Sequence, residues 1–242
     1  MTFTNTIIPF LSSIVSFVFA VIIFKRYADR RGTHLLIWGI GMVFYGIGGF
    51  CEAYFGALGW NPLIFRLWYL FGAILVAAWL GQGTVYLLAK RKWANALAAL
   101  LILGSIYATF RVFNAELDPT LMTSSTHTGS ELSGHAIVTS GIRTLTPIFN
   151  LYGTVALVGG AIYSAYIFWR KRILLHRTIG NLMIAVGALA PAFGGAFSRF
   201  GIPGALYYGE FFGAILLFAG FIRATTPMKN TEPQPAPTPA GD

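Results

Sequence analysis

The sequence predicts an all-α, polytopic membrane protein of seven transmembrane helices, on three observations. Apolar residues make up 56% of the 242-residue chain and charged residues only 10%, whereas a soluble domain carries roughly a quarter charged. The apolar residues gather into seven runs near the ~20 residues that cross ~30 Å of hydrocarbon. Lysines and arginines cluster after the odd-numbered runs, as insertion into a bilayer requires.

The runs, in order, are 7–24, 35–56, 65–88, 94–110, 146–169, 179–199 and 205–222. Lipid offers the backbone no hydrogen-bond partner, and runs this long and uniformly apolar exceed a tilted barrel strand, so each is a helix. The first follows MTFTNT, which has no basic n-region, and is expected to stay in the protein rather than leave as a signal peptide. Lys25, Arg26, Arg30 and Arg31 come after it. The second ends at the turn GALGWNP, and the third is followed by Lys90, Arg91 and Lys92. After the fourth comes the Ser/Thr/Gly-rich segment 111–145, read as an outer loop. Arg170, Lys171, Arg172 and Arg177 follow the fifth run, and Arg223 and Lys229 follow the seventh. Of the 17 basic residues, only Arg66, Arg111, Arg143 and Arg199 fall on the opposite side. The N-terminus is therefore expected outside and the C-terminus inside, with residues 224–242 a Pro-rich, disordered cytoplasmic tail. Topology and anionic headgroups account for the net charge of +9, so no nucleic-acid partner is expected. The expected location is a plasma or inner membrane, crossed several times. Besides the lipid bilayer, the expected partners are a small-molecule ligand, another membrane protein or a second copy.

Internal similarity suggests a duplication. FGAIL occurs at 71–75 and again at 212–216; GGFCEAYFG at 48–56 resembles GGAFSRFG at 194–201; FKRYADRRGTHLL at 24–36 resembles FWRKRILLHRTIGNLM at 168–183. The offsets nearly agree. Residues 1–223 would form one membrane domain: a first repeat (1–89), a linker helix (90–110), the outer loop (111–145) and a second, parallel repeat (146–223). Glycine adds a packing signal: Gly180, Gly187 and Gly194 recur every seven residues in the sixth run, and Gly209 and Gly213 are four apart in the seventh. Such faces let helices approach closely. Pro191 is expected to bend the sixth helix.

This 3+1+3 layout resembles that of SWEET-type sugar transporters and rhodopsin-like proteins. Separately, WGIGMVFYGIGGFCEAYFGALGWNPLIFRLWYLFGA at 38–73 is similar to the seven-helix sensor regions of bacterial histidine kinases. The first resemblance implies transport and the second ligand sensing. Neither assigns a specific family. The chain departs from both: Pro233 and Gln234 form no PQ dipeptide within a span, and every lysine lies at a helix end or in the tail, which leaves no mid-helix Schiff-base lysine.

Ionisable groups inside a bilayer cost ~2.5–3.5 kcal/mol at its centre, so their positions are informative. Glu52, Arg66, Arg199 and Glu210 all fall near one rim, with Tyr69 and Tyr207 beside them and Gln82 deeper in the third span. One reading makes these seven the lining of an outward-facing polar and aromatic vestibule. The other makes the charges an ion-pair lock between halves, or arginines reaching for headgroups. His127, Glu131 and His135 are spaced by four, but intervening Gly and Ser argue against a helix, so no metal site is expected. The absence of G-x-S-x-G, H-E-x-x-H and phosphate-loop patterns leads to an expectation of no enzyme activity and no cofactor. Cys51 reads as a small packing residue. The functional expectation is a transporter-like protein with an outward vestibule; the alternative is a sensor, receptor or accessory subunit that binds without transport.

Overall fold

A computed structural model describes residues 3–121, 134–171 and 175–226. Seven helices long and apolar enough to cross a membrane run through them: α1 (Phe3–Arg30), α2 (Thr33–Leu58), α3 (Pro62–Leu88), α4 (Arg91–Phe113), α5 (Leu145–Arg170), α6 (Leu175–Arg199) and α7 (Ala205–Thr225). Most extend beyond the predicted runs, because polar residues such as Lys25–Arg30 continue a helix into the headgroup region at no cost to its hydrogen bonding.

Local chemistry sets the breaks. Arg31, at φ 51°, turns the chain out of α1, and Gly59, at φ 82°, closes α2 with its N–H on the Phe55 carbonyl. Asn61 caps α3: its side-chain oxygen accepts from the amides of Leu63 and Ile64 at 2.9 and 3.4 Å, and Pro62 fills the first helical position. Within α3, Trp68–Leu75 winds as a π-helix, a rare form often found at functional sites. Its Ala73 carbonyl accepts from the Asn150 amide of α5 at 3.2 Å.

Six helices pack in the cyclic order α1, α2, α3, α5, α6, α7 and back to α1, while α4 lies outside this ring against α3. Glycines bring the backbones together. A Cβ built on Gly187 would stand 2.9 Å from the Gly213 carbonyl oxygen, and one on Gly180 would stand 2.8 Å from that of Gly220. The seven-residue spacing in α6 thus faces α7 along its length. On α2, Gly48 meets Gly72 of α3, and Gly49 meets Pro9 and Ser13 of α1.

The two ends of the ring differ. One, the basic end, carries Lys25, Arg26, Lys90, Arg91, Lys92, Arg170, Lys171 and Arg223. The other is covered by a cap made from residues 114–121 and 134–144. Leu117 and Ile137 form an isolated antiparallel bridge, flanked by Asp118 N–H to Ala136 O at 2.9 Å and Val138 N–H to Glu116 O at 3.0 Å. Ala136, Ile137 and Ile142 are buried in one cluster with Phe65, Tyr69 and Phe149. The hydroxyl and amide of Thr120 both donate to Asp118, holding that carboxyl below the usual range. Part of the segment read as a loop is therefore a folded lid over α3.

The glycine contacts lead to a paired prediction. Gly187→Ala should lower stability by ~1–3 kcal/mol, because the new methyl has only α7 backbone and Leu216 to push against. Gly159→Ala, where a Cβ meets nothing within 4 Å, should stay within ~0.5 kcal/mol of the parent. Thermal unfolding of both variants in detergent checks the pair.

Candidate functional site

Glu52 lies near the cap end of α2 and is 1% exposed. Its Oε1 accepts from the Trp68 indole N–H at 2.9 Å. The carboxyl of Glu210, from the first turns of α7, couples electrostatically to that of Glu52, whose second oxygen, Oε2, is buried without a hydrogen-bond partner. Helices α2 and α7 both border α1, so this contact crosses the interior of the ring. Two buried carboxylates this close repel, and a proton or a cation between them relieves that cost. Tyr45, two turns from Glu52 on α2, donates to the Glu210 backbone carbonyl at 2.8 Å, its hydroxyl lying over Gly213. Tyr207, one turn before Glu210, is 1% exposed.

The local fold explains how Trp68 arrives there. It opens the π segment, where three successive residues, Trp68, Tyr69 and Leu70, are all buried. Trp68 faces Glu52, and Tyr69 points elsewhere, its hydroxyl accepting from Thr146 at 3.0 Å beside Gly134 of the cap. Trp60 and Phe65 pack against Trp68, and Phe55 stacks on Trp60. The indole is therefore fixed by rings on one side and by the carboxyl on the other.

The remaining residues predicted for the site separate into different places. Arg66 donates to the Ala115 carbonyl at 2.9 Å and reaches back to Pro62, so it fastens the cap rather than meeting Glu52. Gln82 is fully buried nearer the basic end, donating to the Ala94 carbonyl of α4 at 2.9 Å and accepting from the Tyr152 hydroxyl of α5. It ties α3, α4 and α5, and neither of these bonds involves Glu52. The side chain of Arg199 lies outside the described residues, as do His127 and Glu131. Among the described residues no group of three or more metal-binding side chains occurs. Glu52, Glu210 and Tyr207 thus share one neighbourhood, while Arg66, Tyr69 and Gln82 belong to contacts with the cap, α4 and α5.

Below the carboxyl pair the ring is filled with apolar side chains. Phe19, Trp38, Leu80, Leu157, Ile184 and Phe221, one from each ring helix, surround a cavity of about 20 Å³. That volume is near the minimum for one water, and its apolar walls supply no partners to hold it. Trp38 donates its indole N–H to the Leu80 carbonyl at 2.9 Å, and Arg26 stands 4.8 Å over the Phe221 ring while bonding Thr225. Comparison of the chain with protein families, curated proteins and solved structures finds no match. Any functional reading therefore rests on this geometry.

From the sequence, Trp68 reads as core packing or as lining for a hydrophobic ligand, and Thr146 carries no signal. The one signal available for Trp68 was its indole N–H, a donor that needs a partner wherever it is buried. A double-mutant cycle tests its bond to Glu52. Trp68→Phe should cost ~1–3 kcal/mol by leaving the buried carboxyl short of a donor. Combining it with Glu52→Leu should cost less than the sum by ~1 kcal/mol or more in detergent unfolding measurements, whereas strict additivity would separate the two residues energetically.

Proposed function

We propose that this chain is a sensor- or receptor-like protein of a plasma or inner membrane. It binds a small molecule bearing a cationic group at the Glu52–Glu210 pair. The cap end faces outside and the basic end faces the cytoplasm, as the distribution of lysine and arginine favours. The observation that carries the reading is the contact of two carboxyl side chains inside the ring. A positive charge arriving between them can replace the shared proton, so one site answers both to the ligand and to pH. Trp68 holds Glu52 in place, and Tyr45 and Tyr207 supply aromatic surface on which a cation can rest. The apolar filling of the basic half supports binding without passage.

Transport is the second reading, and the cyclic helix order favours it. Going round the ring, α1–α2–α3 is followed by α5–α6–α7, the arrangement two parallel repeats about a central axis would have. Rocking of one triplet against the other would then open the apolar half.

A panel of primary, quaternary and guanidinium amines tests both readings. Some members should raise the thermal stability of the purified protein, by an amount that grows from mildly acidic to mildly alkaline pH because each cation bound releases a proton. Glu52→Gln and Glu210→Gln should each abolish the effect. The same amines should not cross proteoliposome membranes carrying the protein; uptake that is lost in both variants would favour transport. A panel without any Glu52-dependent shift would remove the carboxyl pair from ligand binding.

A further inference from the structure

A second feature lies on the lipid-facing side of the ring, away from the carboxyl pair. Near the basic end, α3 and α5 leave between them an open groove of about 330 Å³. Val85, Leu88 and Ala89 form one wall, Val155 and Tyr163 the other, and Gly159 and Gly160 keep it wide. Its floor is closed where Gly160 meets Thr84 and Leu88, and a Cβ on Gly159 would meet nothing within 4 Å. The surrounding Leu88, Val155 and Tyr163 are 43–65% exposed, a surface that the bilayer must cover.

Two observations say what covers it. The wall residue Ala89 runs directly into Lys90, Arg91 and Lys92, all exposed, and the other wall ends at Arg170 and Lys171. Arg91 is drawn aside over the Tyr86 ring at 5.1 Å, which leaves Lys90 and Lys92 as free cations at the mouth among the described contacts. The second observation is the floor itself, where the Thr84 methyl and the Leu88 side chain meet Gly160 and make an apolar bed that fits an acyl chain.

We propose that this groove is a binding site for one anionic phospholipid. An acyl chain lies between α3 and α5, and the headgroup phosphate sits at Lys90 and Lys92. A neutral lipid of the same chain length would fill the groove but gain nothing at its mouth. The site is independent of the Glu52–Glu210 reading, and neither stands or falls with the other.

Native mass spectrometry of the full chain in mild detergent, titrated with phosphatidylglycerol or with phosphatidylcholine of identical chains, tests the site. One phosphatidylglycerol should remain bound under activation that strips phosphatidylcholine. Lys90→Gln and Lys92→Gln should each weaken phosphatidylglycerol about fivefold, the equivalent of about 1 kcal/mol per basic residue near a surface, and leave phosphatidylcholine unchanged. Gly159→Phe should remove the tight adduct. Equal retention of the two lipids by the parent would overturn the proposal. So would undiminished phosphatidylglycerol in Gly159→Phe, or a dimer that disappears in that variant and assigns the groove to a second copy. Because Lys90 and Lys92 are exposed, the results of their Gln variants stand even if Gly159→Phe does not fold, and undiminished phosphatidylglycerol in both would overturn the proposal.

Discussion

Inside a bilayer no solvent can complete a broken hydrogen bond, and the whole arrangement of this protein answers to that constraint. It makes every span a helix. It also governs the side chains, for each buried polar group that joins two helices does so by finding a specific backbone or side-chain partner. Trp38 reaches the Leu80 carbonyl, Tyr45 that of Glu210, Asn150 that of Ala73 and Gln82 that of Ala94. Four such bonds link α2 with α3, α2 with α7, α5 with α3 and α3 with α4, so polar groups fix the order of helices that apolar packing alone would leave interchangeable. The Glu52–Trp68 bond is the same device applied to an ionisable group.

Glycine supplies the complementary term. Where α6 meets α7, backbones approach at Gly180, Gly187 and Gly194, and this is the most extensive helix pairing in the ring. In lipid, such contacts gain stability from dispersion rather than from release of water, so closeness matters more than apolar area. The α2–α3 contact uses Gly48 and Gly72 in the same way, but it sits inside a π-helical stretch. FGAIL at 71–75 is π-helical while FGAIL at 212–216 is α-helical. Five identical residues therefore take two conformations. Asn150 holding the Ala73 carbonyl, and Gly48 pressed against Gly72, are the neighbours that distinguish the first from the second.

This contrast marks what a sequence can disclose here. The seven helices were legible because span length and apolar content are averages over ~20 residues. The α6 face was legible because spacing by seven maps directly onto one side of a helix. The depth of Glu52 could be counted from the GALGWNP turn. Its pairing could not, since the Glu52–Trp68 bond runs between α2 and α3 and has no periodicity along the chain. Arg66 lies two residues from that same carboxyl partner, yet its bond goes to Ala115, on a cap assembled from residues on both sides of 122–133. Long-range pairings of this kind leave no periodic trace.

The cross-ring contact also has a consequence for biosynthesis. Glu52 belongs to the second helix to leave the ribosome and Glu210 to the last. Chains are made from the N-terminus at ~5–20 residues per second, so the earlier carboxyl waits many seconds in the translocon or nascent bundle before its counterpart exists. Trp68, only sixteen residues downstream, is synthesised within seconds of Glu52 and so is available to the carboxyl long before Glu210 is.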